Sequence, residues 1–355
     1  MRVAPSSLLA PWSALALTLT VASCRAPKAP TPAVQVRPLP ERVTGANLRA
    51  VGDHRRGYGT AKARETMKRL QDLGVNTVSI LMEGRMDNVE DLDVRTPDPE
   101  DLEDIRAALA DAHQLGLATV LIPHLYLDDG AWRGRIRHPD PQRRDEWWAS
   151  YTDFIVAAAD LARDTGTSLL SIGVELKGMS QEVDTRTRMK QLCERIRQRG
   201  YKGKLTYNAN WDEAENVRFW DLVDAVGVNG YYPLLPEPVR GAEKVALTLT
   251  KLHEQSQRPV LILEVGYRAS PMSHVRPWEW PEAIDGSEVD EQAQSHAWAA
   301  ILSYWLGARG VQGLLVWVIP TDPDDPASEP AHGFNPLNRS AEEVIRRAFL
   351  DLELG

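Results

Sequence analysis

Eight short apolar runs, each followed by a stretch with helical spacing, predict a closed (β/α)8 barrel of parallel strands. Two further observations support a barrel over an open sheet. Structured sequence begins near Val43, and the remaining length suits a barrel built as one unit. No G-x-G-x-x-G follows the first run, so the usual mark of an open dinucleotide-binding sheet is missing.

The runs are "VTGANL" at 43–48, "VNTVSIL" at 75–81, "LATVLIP" at 117–123 and "SLLSIGV" at 168–174. They continue with "KLTYNAN" at 204–210, "AVGVNG" at 225–230, "PVLILEV" at 259–265 and "GLLVWVI" at 313–319. Alternating strand and helix patterns of this kind argue for parallel βαβ units. The helices between them are punctuated. In "TPDPEDLEDIRAALADAHQLG", Asp98 is placed to cap a helix and Pro99 to open it. Leu102, Ile105, Leu109, Ala112 and Leu115 share one face, and Gly116 closes it. Gly74, Gly166 and Gly203 read as the same stop before other strands.

Ahead of the barrel the chain reads differently. Residues 1–23 carry Arg2, an apolar run from Leu8 to Val21 and then "VAS", the pattern of a secretory signal that is short for a membrane span. The "VASC" ending resembles a bacterial lipobox, which makes Cys24 the expected lipidated residue. Residues 24–41 are rich in Pro and Ala without an aromatic residue, and read as a tether. The barrel is assigned to 42–355. A lipid-anchored protein of the bacterial cell envelope, at the outer membrane or cell surface, is expected. The other cysteine, Cys193, lies in a helical pattern as a buried free thiol, so no disulfide framework is implied.

The net charge of -9 argues against nucleic acid as a partner, because such binders present basic faces. A monomer is expected. The eight histidines form no H-E-x-x-H, and the first run lacks an H-x-H pair, so neither a catalytic metal nor another cofactor is expected. Asp322, Asp324 and Asp325 lack the spacing of a calcium loop and read as a solvated acidic loop.

Function in such a barrel belongs to the C-terminal ends of the strands. Those positions hold Asn47 and Arg49, Arg85, His124 and Tyr126, Glu175, Asn208, Asn210 and Trp211, Asn229 and Tyr231, Glu264, and Trp317. Amides, acids and aromatic rings together suit a sugar. Eleven tryptophans against four phenylalanines add flat apolar faces that suit ring stacking. Trp132, in the loop after the third run, is a candidate platform, and Trp278 and Trp280 are similar. Trp147 and Trp148, at a helix start, read as packing residues.

Two runs end on a carboxylate: "SLLSIGVE" on Glu175 and "PVLILE" on Glu264. Strands four and seven lie nearly across the barrel, so both acids are expected in one cavity. Retaining glycosidases need a carboxyl pair about 5–5.5 Å apart, one nucleophile and one acid/base, and inverting ones about 6.5–9.5 Å, a gap that a sequence does not measure. In such a pair the two environments push the carboxyls' protonation apart, so that one can give a proton and the other stay ionised.

The stretches "GVELKG", "LTYNANW", "FWDLVDAVGVNGYYPL", "LEVGYRAS", "GLLVWVI" and "GFNPLNRSAEEVI" resemble glycoside hydrolase family 113, the retaining β-mannanase-type enzymes of the clan A barrels. The resemblance runs from Val43 to the last helix. It implies that Glu175 is the acid/base and Glu264 the nucleophile. Tyr231 would hydrogen-bond the nucleophile, and Trp317 would floor the -1 subsite. His124, Asn210 and Trp211 match positions near the sugar. The substrate implied is a β-1,4-mannosidic or related β-linked oligo- or polysaccharide. Two departures stand out. Val174 precedes the acid/base where clan A barrels commonly place Asn, with Asn208 or Asn210 as substitutes, and "NRSA" replaces a closing Lys-Pro. Two other readings are a non-catalytic glycan-binding lipoprotein on the same barrel, and a β-glycosidase of different sugar specificity.

Overall fold

The computed structural model describes residues 34–52, 55–284 and 288–351. The predicted signal peptide and Cys24 lie outside them. The eight strands β1 (Val43–Arg49), β2 (Thr77–Met86), β3 (Ala118–Leu127), β4 (Leu169–Val174), β5 (Lys204–Asn210), β6 (Ala225–Asn229), β7 (Val260–Val265) and β8 (Val311–Pro320) pair in parallel in chain order, and β8 closes on β1. All eight runs read from the sequence are strands of this (β/α)8 barrel.

The helices are α1 (Ala61–Asp72), α2 (Pro99–Gln114), α3 (Pro141–Thr165), the single turn α4 (Lys177–Ser180), α5 (Thr185–Gln198), α6 (Pro238–Ser256), α7 (Glu291–Trp305) and α8 (Ser340–Phe349). In α2, the Asp98 carboxylate accepts from the amides of Glu100 and Asp101, and the helix buries Ile105, Ala108, Leu109 and Ala112. One crossover departs from the predicted pattern. Between β5 and β6 there is no α-helix, only 3-10 turns at Ala214–Asn216 and Trp220–Leu222. The link is little longer than the shortest crossover, and the buried Glu213 pins its first turn.

Glycine stops occur as expected at Gly74, Gly116 and Gly166, where φ is positive. The stop before β5 is Gly200, with φ +90°, and not Gly203. Gly203 is glycine for another reason: a Cβ there would lie 2.1 Å from the Tyr201 hydroxyl and 2.6 Å from the Thr167 carbonyl.

Inside the barrel, Leu81, Val120, Ile122, Leu169, Leu261, Leu263 and Leu315 form one core, while a larger core lies between strands and helices. Trp147 and Trp148 belong to the second, with Trp147 stacked 4.7 Å from Tyr151. Cys193 is free and half-buried, and burial pushes its thiol up to about 11. The described end of the predicted tether lies against the barrel: Leu39 packs on the interior core and the Pro40 carbonyl accepts from Gln312. The acidic loop after β8 is ion-paired, not merely solvated. Asp324 meets Lys62 and Arg69, Asp325 meets Arg56, and Asp322 is buried.

Strand register slips at the C-terminal ends of β4, β6 and β7, between Ser171 and Val174, Val228 and Asn229, and Ile262 and Val265. Such irregularities bend a strand and re-aim its side chains. Here they fall beside Glu175, Asn229 and Glu264.

Candidate active site

The end of β7 carries Glu264, buried at 2 % exposure. The Tyr231 hydroxyl, just past β6, donates to its Oε2 at 3.1 Å, while Oε1 has no hydrogen-bond partner. Burial, then the charge of Glu175, pushes the Glu264 carboxyl up to about 8, against the opposing pull of Arg133 and Tyr231.

Glu175 follows β4 in the left-handed region, with φ +51°. A non-glycine residue held there stores roughly 1–3 kcal/mol of strain, and such positions cluster at functional sites. Four contacts hold it. Its amide donates to the Asn208 carbonyl at 2.8 Å, and its Oε1 accepts from Asn229 Nδ2 at 2.9 Å. Its Oε2 accepts from Trp132 Nε1 at 2.9 Å and lies 3.3 Å from the Arg133 guanidinium. A guanidinium thus sits on Glu175, while the carboxyl that burial raises is Glu264.

Arg133 also donates to His124 Nε2 at 2.8 Å, so that nitrogen accepts and the ring proton lies on Nδ1. Burial and the Arg133 charge push His124 well below the usual histidine range. It lies in the site as a neutral ring, 6.2 Å from Trp317.

These groups open into a cavity of about 620 Å³. Tryptophans form much of its wall: Trp132, Trp211, Trp278, Trp280 and Trp317. Trp211 and Trp278 stack at 5.6 Å, and Trp280 meets Trp317 edge-on at 6.2 Å. Apolar ring faces beside a carboxyl pair can bind a pyranose by its C–H face while acids address the bond between two sugars.

Of the predicted site residues, Glu175, Glu264, His124, Trp132, Asn210, Trp211, Tyr231 and Trp317 line this cavity. Asn47 does not. It is fully buried below, where its Nδ2 donates to the Leu263 carbonyl at 2.9 Å and its Oδ1 accepts from Ser79, tying β1 to β7 and β2. Asn208 is also fully buried outside the lining and supplies only its carbonyl to Glu175. Asn210 reaches the cavity but donates to Asp212 at 2.8 Å. Val174 packs in the barrel interior, and the amide that reaches Glu175 belongs to Asn229. Arg49 and Arg85, read at the rim, line a second cavity of about 550 Å³ over β1 and β2. Tyr126 lines the first cavity, with the Arg85 and Arg133 guanidinium carbons 6.0 and 5.8 Å from its ring centre.

Sequence reasoning missed Arg133 and Glu213. Arg133 was within reach, because it follows Trp132 in the loop that was already singled out. Glu213 gave no such signal, since an acid in "NWDEAEN" looks like any loop acid.

A (β/α)8 barrel with an acid pair in a tryptophan-walled mouth defines a glycoside hydrolase. The model of Glycoside Hydrolase Family 113 matches residues 50–332, and the chain belongs to that family. Among solved structures, it is similar to the GH113 β-mannanase AaManA from Alicyclobacillus acidocaldarius in complex with ManMIm. That pair shares 27 % identity over 88 % of this chain and 98 % of that one, with a TM-score of 0.76. A GH113 β-1,4-mannanase complex aligns at 21 % identity over 88 % and 99 %, with a TM-score of 0.78. A family 5 mannosidase from Rhizomucor miehei shares the fold at 14 % identity over 88 % and 94 %, TM-score 0.58. No curated protein matches the chain.

Proposed function

We propose that the enzyme is a retaining β-mannanase that cleaves β-1,4-mannosidic linkages by double displacement. One observation carries the reading. Glu264 and Glu175 meet in a single tryptophan-lined cavity, where the Tyr231 hydroxyl donates to Glu264 Oε2 and His124 Nε2 stands 3.7 Å from its buried Oε1. A carboxylate oriented in this way, with a second carboxyl in the same cavity, is suited to attack an anomeric carbon. The likeness to AaManA, described as a β-mannanase, supports the sugar assigned.

In this reading Glu264 attacks the anomeric carbon as Glu175 gives its proton to the departing oxygen, leaving a glycosyl ester on Glu264. Glu175 then takes a proton from water, and the water displaces Glu264. Burial holds Glu264 toward its neutral form in the unliganded site, and the reaction needs it ionised when the bond breaks. Substrate supplies the means: a sugar on the cavity floor brings hydroxyl donors to Glu264 and competes with Trp132 and Arg133 for Glu175. His124, neutral and held by Arg133, has no proton duty here and serves as wall and hydrogen-bonding surface.

The test is a panel of β-mannan, cellulose, xylan and galactan oligomers given to folded protein lacking residues 1–24, with proton NMR of the products. Mannan oligomers should be cleaved first and the β-anomer released first. An α-anomer appearing first would remove double displacement. Equal inactivity on all four would leave a glycan receptor on the same barrel as the better reading.

A further inference from the structure

Beneath the acid/base lies a second buried carboxylate that the proposed reaction does not use. Glu213 is fully buried outside the cavity lining, in the turn after β5. Its Oε1 accepts from the Tyr207 hydroxyl at 2.7 Å, and its Oε2 accepts from the Asn210 amide at 3.1 Å. The Tyr207 oxygen in turn accepts from the Leu176 amide at 2.8 Å. Leu176 follows Glu175 directly, where the backbone has just passed through φ +51°. From these contacts we infer that Glu213, acting through Tyr207, is the positioning residue that holds the acid/base turn in its productive left-handed shape. The inference rests on Glu175 being the acid/base.

The physical argument concerns what the turn would otherwise do. A left-handed glutamate relaxes toward ordinary backbone angles unless its neighbours hold it. On the N-terminal side the holder is the Asn208 carbonyl, which takes the Glu175 amide. On the C-terminal side it is Tyr207, which takes the Leu176 amide. A tyrosine oxygen that accepts one bond must send its own proton somewhere, and Glu213 fixes that direction. The Tyr207 ring is fixed too: it packs edge-on against Phe219 at 5.2 Å, and a Cβ at Gly173 would meet it at 3.0 Å. Glu213 also closes the Asn210 turn, since its own amide donates to the Asn210 carbonyl at 2.9 Å. One carboxylate thus sets both the acid/base turn and the turn that presents Trp211 to the cavity. A loop acid acting only as a cap would not need full burial or a tyrosine pointing at a neighbouring strand's turn.

Leaving-group dependence separates positioning from general damage, because a misplaced acid matters most where the departing oxygen most needs a proton. The experiment measures kcat/KM for aryl β-mannosides of graded leaving-group pKa in wild type, Y207F, E213Q and E175A, with melting curves to establish folding. Y207F keeps the packed ring and guards against loss of fold in E213Q. The inference predicts a steeper fall of log kcat/KM with leaving-group pKa in Y207F and E213Q, the poorest leaving group losing at least about tenfold more than the best. E175A should be steeper still. Equal losses across the series, or none, in folded Y207F and E213Q would overturn the inference while leaving Glu175 as the acid/base. A flat E175A series would overturn that assignment, and the inference with it.

Discussion

Glu264 shows how far a single residue's chemistry departs from its place in the sequence. Ending an apolar strand on glutamate was legible as an anomaly, and the tyrosine that holds it was legible through the family resemblance. Its surroundings were not, because they depend on burial in the closed barrel and on Arg133 crossing from the loop after β3 to Glu175, a contact between residues 42 positions apart. Burial of Glu264 has a consequence for stability. Its carboxyl titrates near 4.5 in the unfolded chain and about 8 in the fold, so between those values the folded protein binds the extra proton. The stabilisation is complete below the lower value and is lost as pH rises through the upper one. Glu213, pushed up to about 7 chiefly by burial, acts in the same direction. The variant E264Q cannot ionise and should melt above wild type at about pH 9, with the gap closing toward about pH 5. Differential scanning calorimetry across that range reads it; a gap that grows on acidification would mean that Glu264 is ionised in the free enzyme.

At the scale of elements, strands were more legible than the segments joining them. The strands are short runs rich in apolar residues that stand out in the sequence, whereas the β5–β6 link carries helical spacing yet folds as two 3-10 turns around Glu213. Gly203 was misread for a related reason: close approach of a tyrosine and helix termination both call for glycine, and a sequence does not separate them. Loop-to-loop packing was invisible altogether. The turn α4, just after Glu175, packs on the segment carrying Trp132 and Arg133, and a Cβ at Gly178 would lie 2.3 Å from the Ile136 carbonyl. Substituting alanine would push the two apart and loosen both contacts on Glu175. Because small displacements of reacting groups are costly, G178A should lower kcat/KM by roughly ten- to a hundredfold with the barrel intact. Kinetics alongside far-UV circular dichroism checks this, and wild-type kinetics in a folded variant would show that the contact is dispensable.

For the molecule as a whole, alternation of strand and helix left little choice of architecture, and the rule that barrels work at the C-terminal ends of their strands turned a list of eight ends into a site. That rule also explains the two errors among the amides. Asn47 and Asn208 lie one layer too deep, where side chains fill the barrel instead of facing its mouth, and layer depth follows from barrel tilt and register, which the sequence does not display. What closure achieves is the meeting of β4 and β7 ends across the mouth, and the central claim is that the two acids there divide the reaction. The most direct measurement is the anomeric configuration of the glycosyl azide formed when azide is added to E175A and E264A with an activated aryl β-mannoside. In E175A the nucleophile is intact, so azide takes the place of water on the glycosyl enzyme and the β-mannosyl azide forms. In E264A azide replaces the nucleophile itself, so any product is the α-mannosyl azide. A β-azide from E264A, or an α-azide from E175A, would contradict the assignment of the two glutamates.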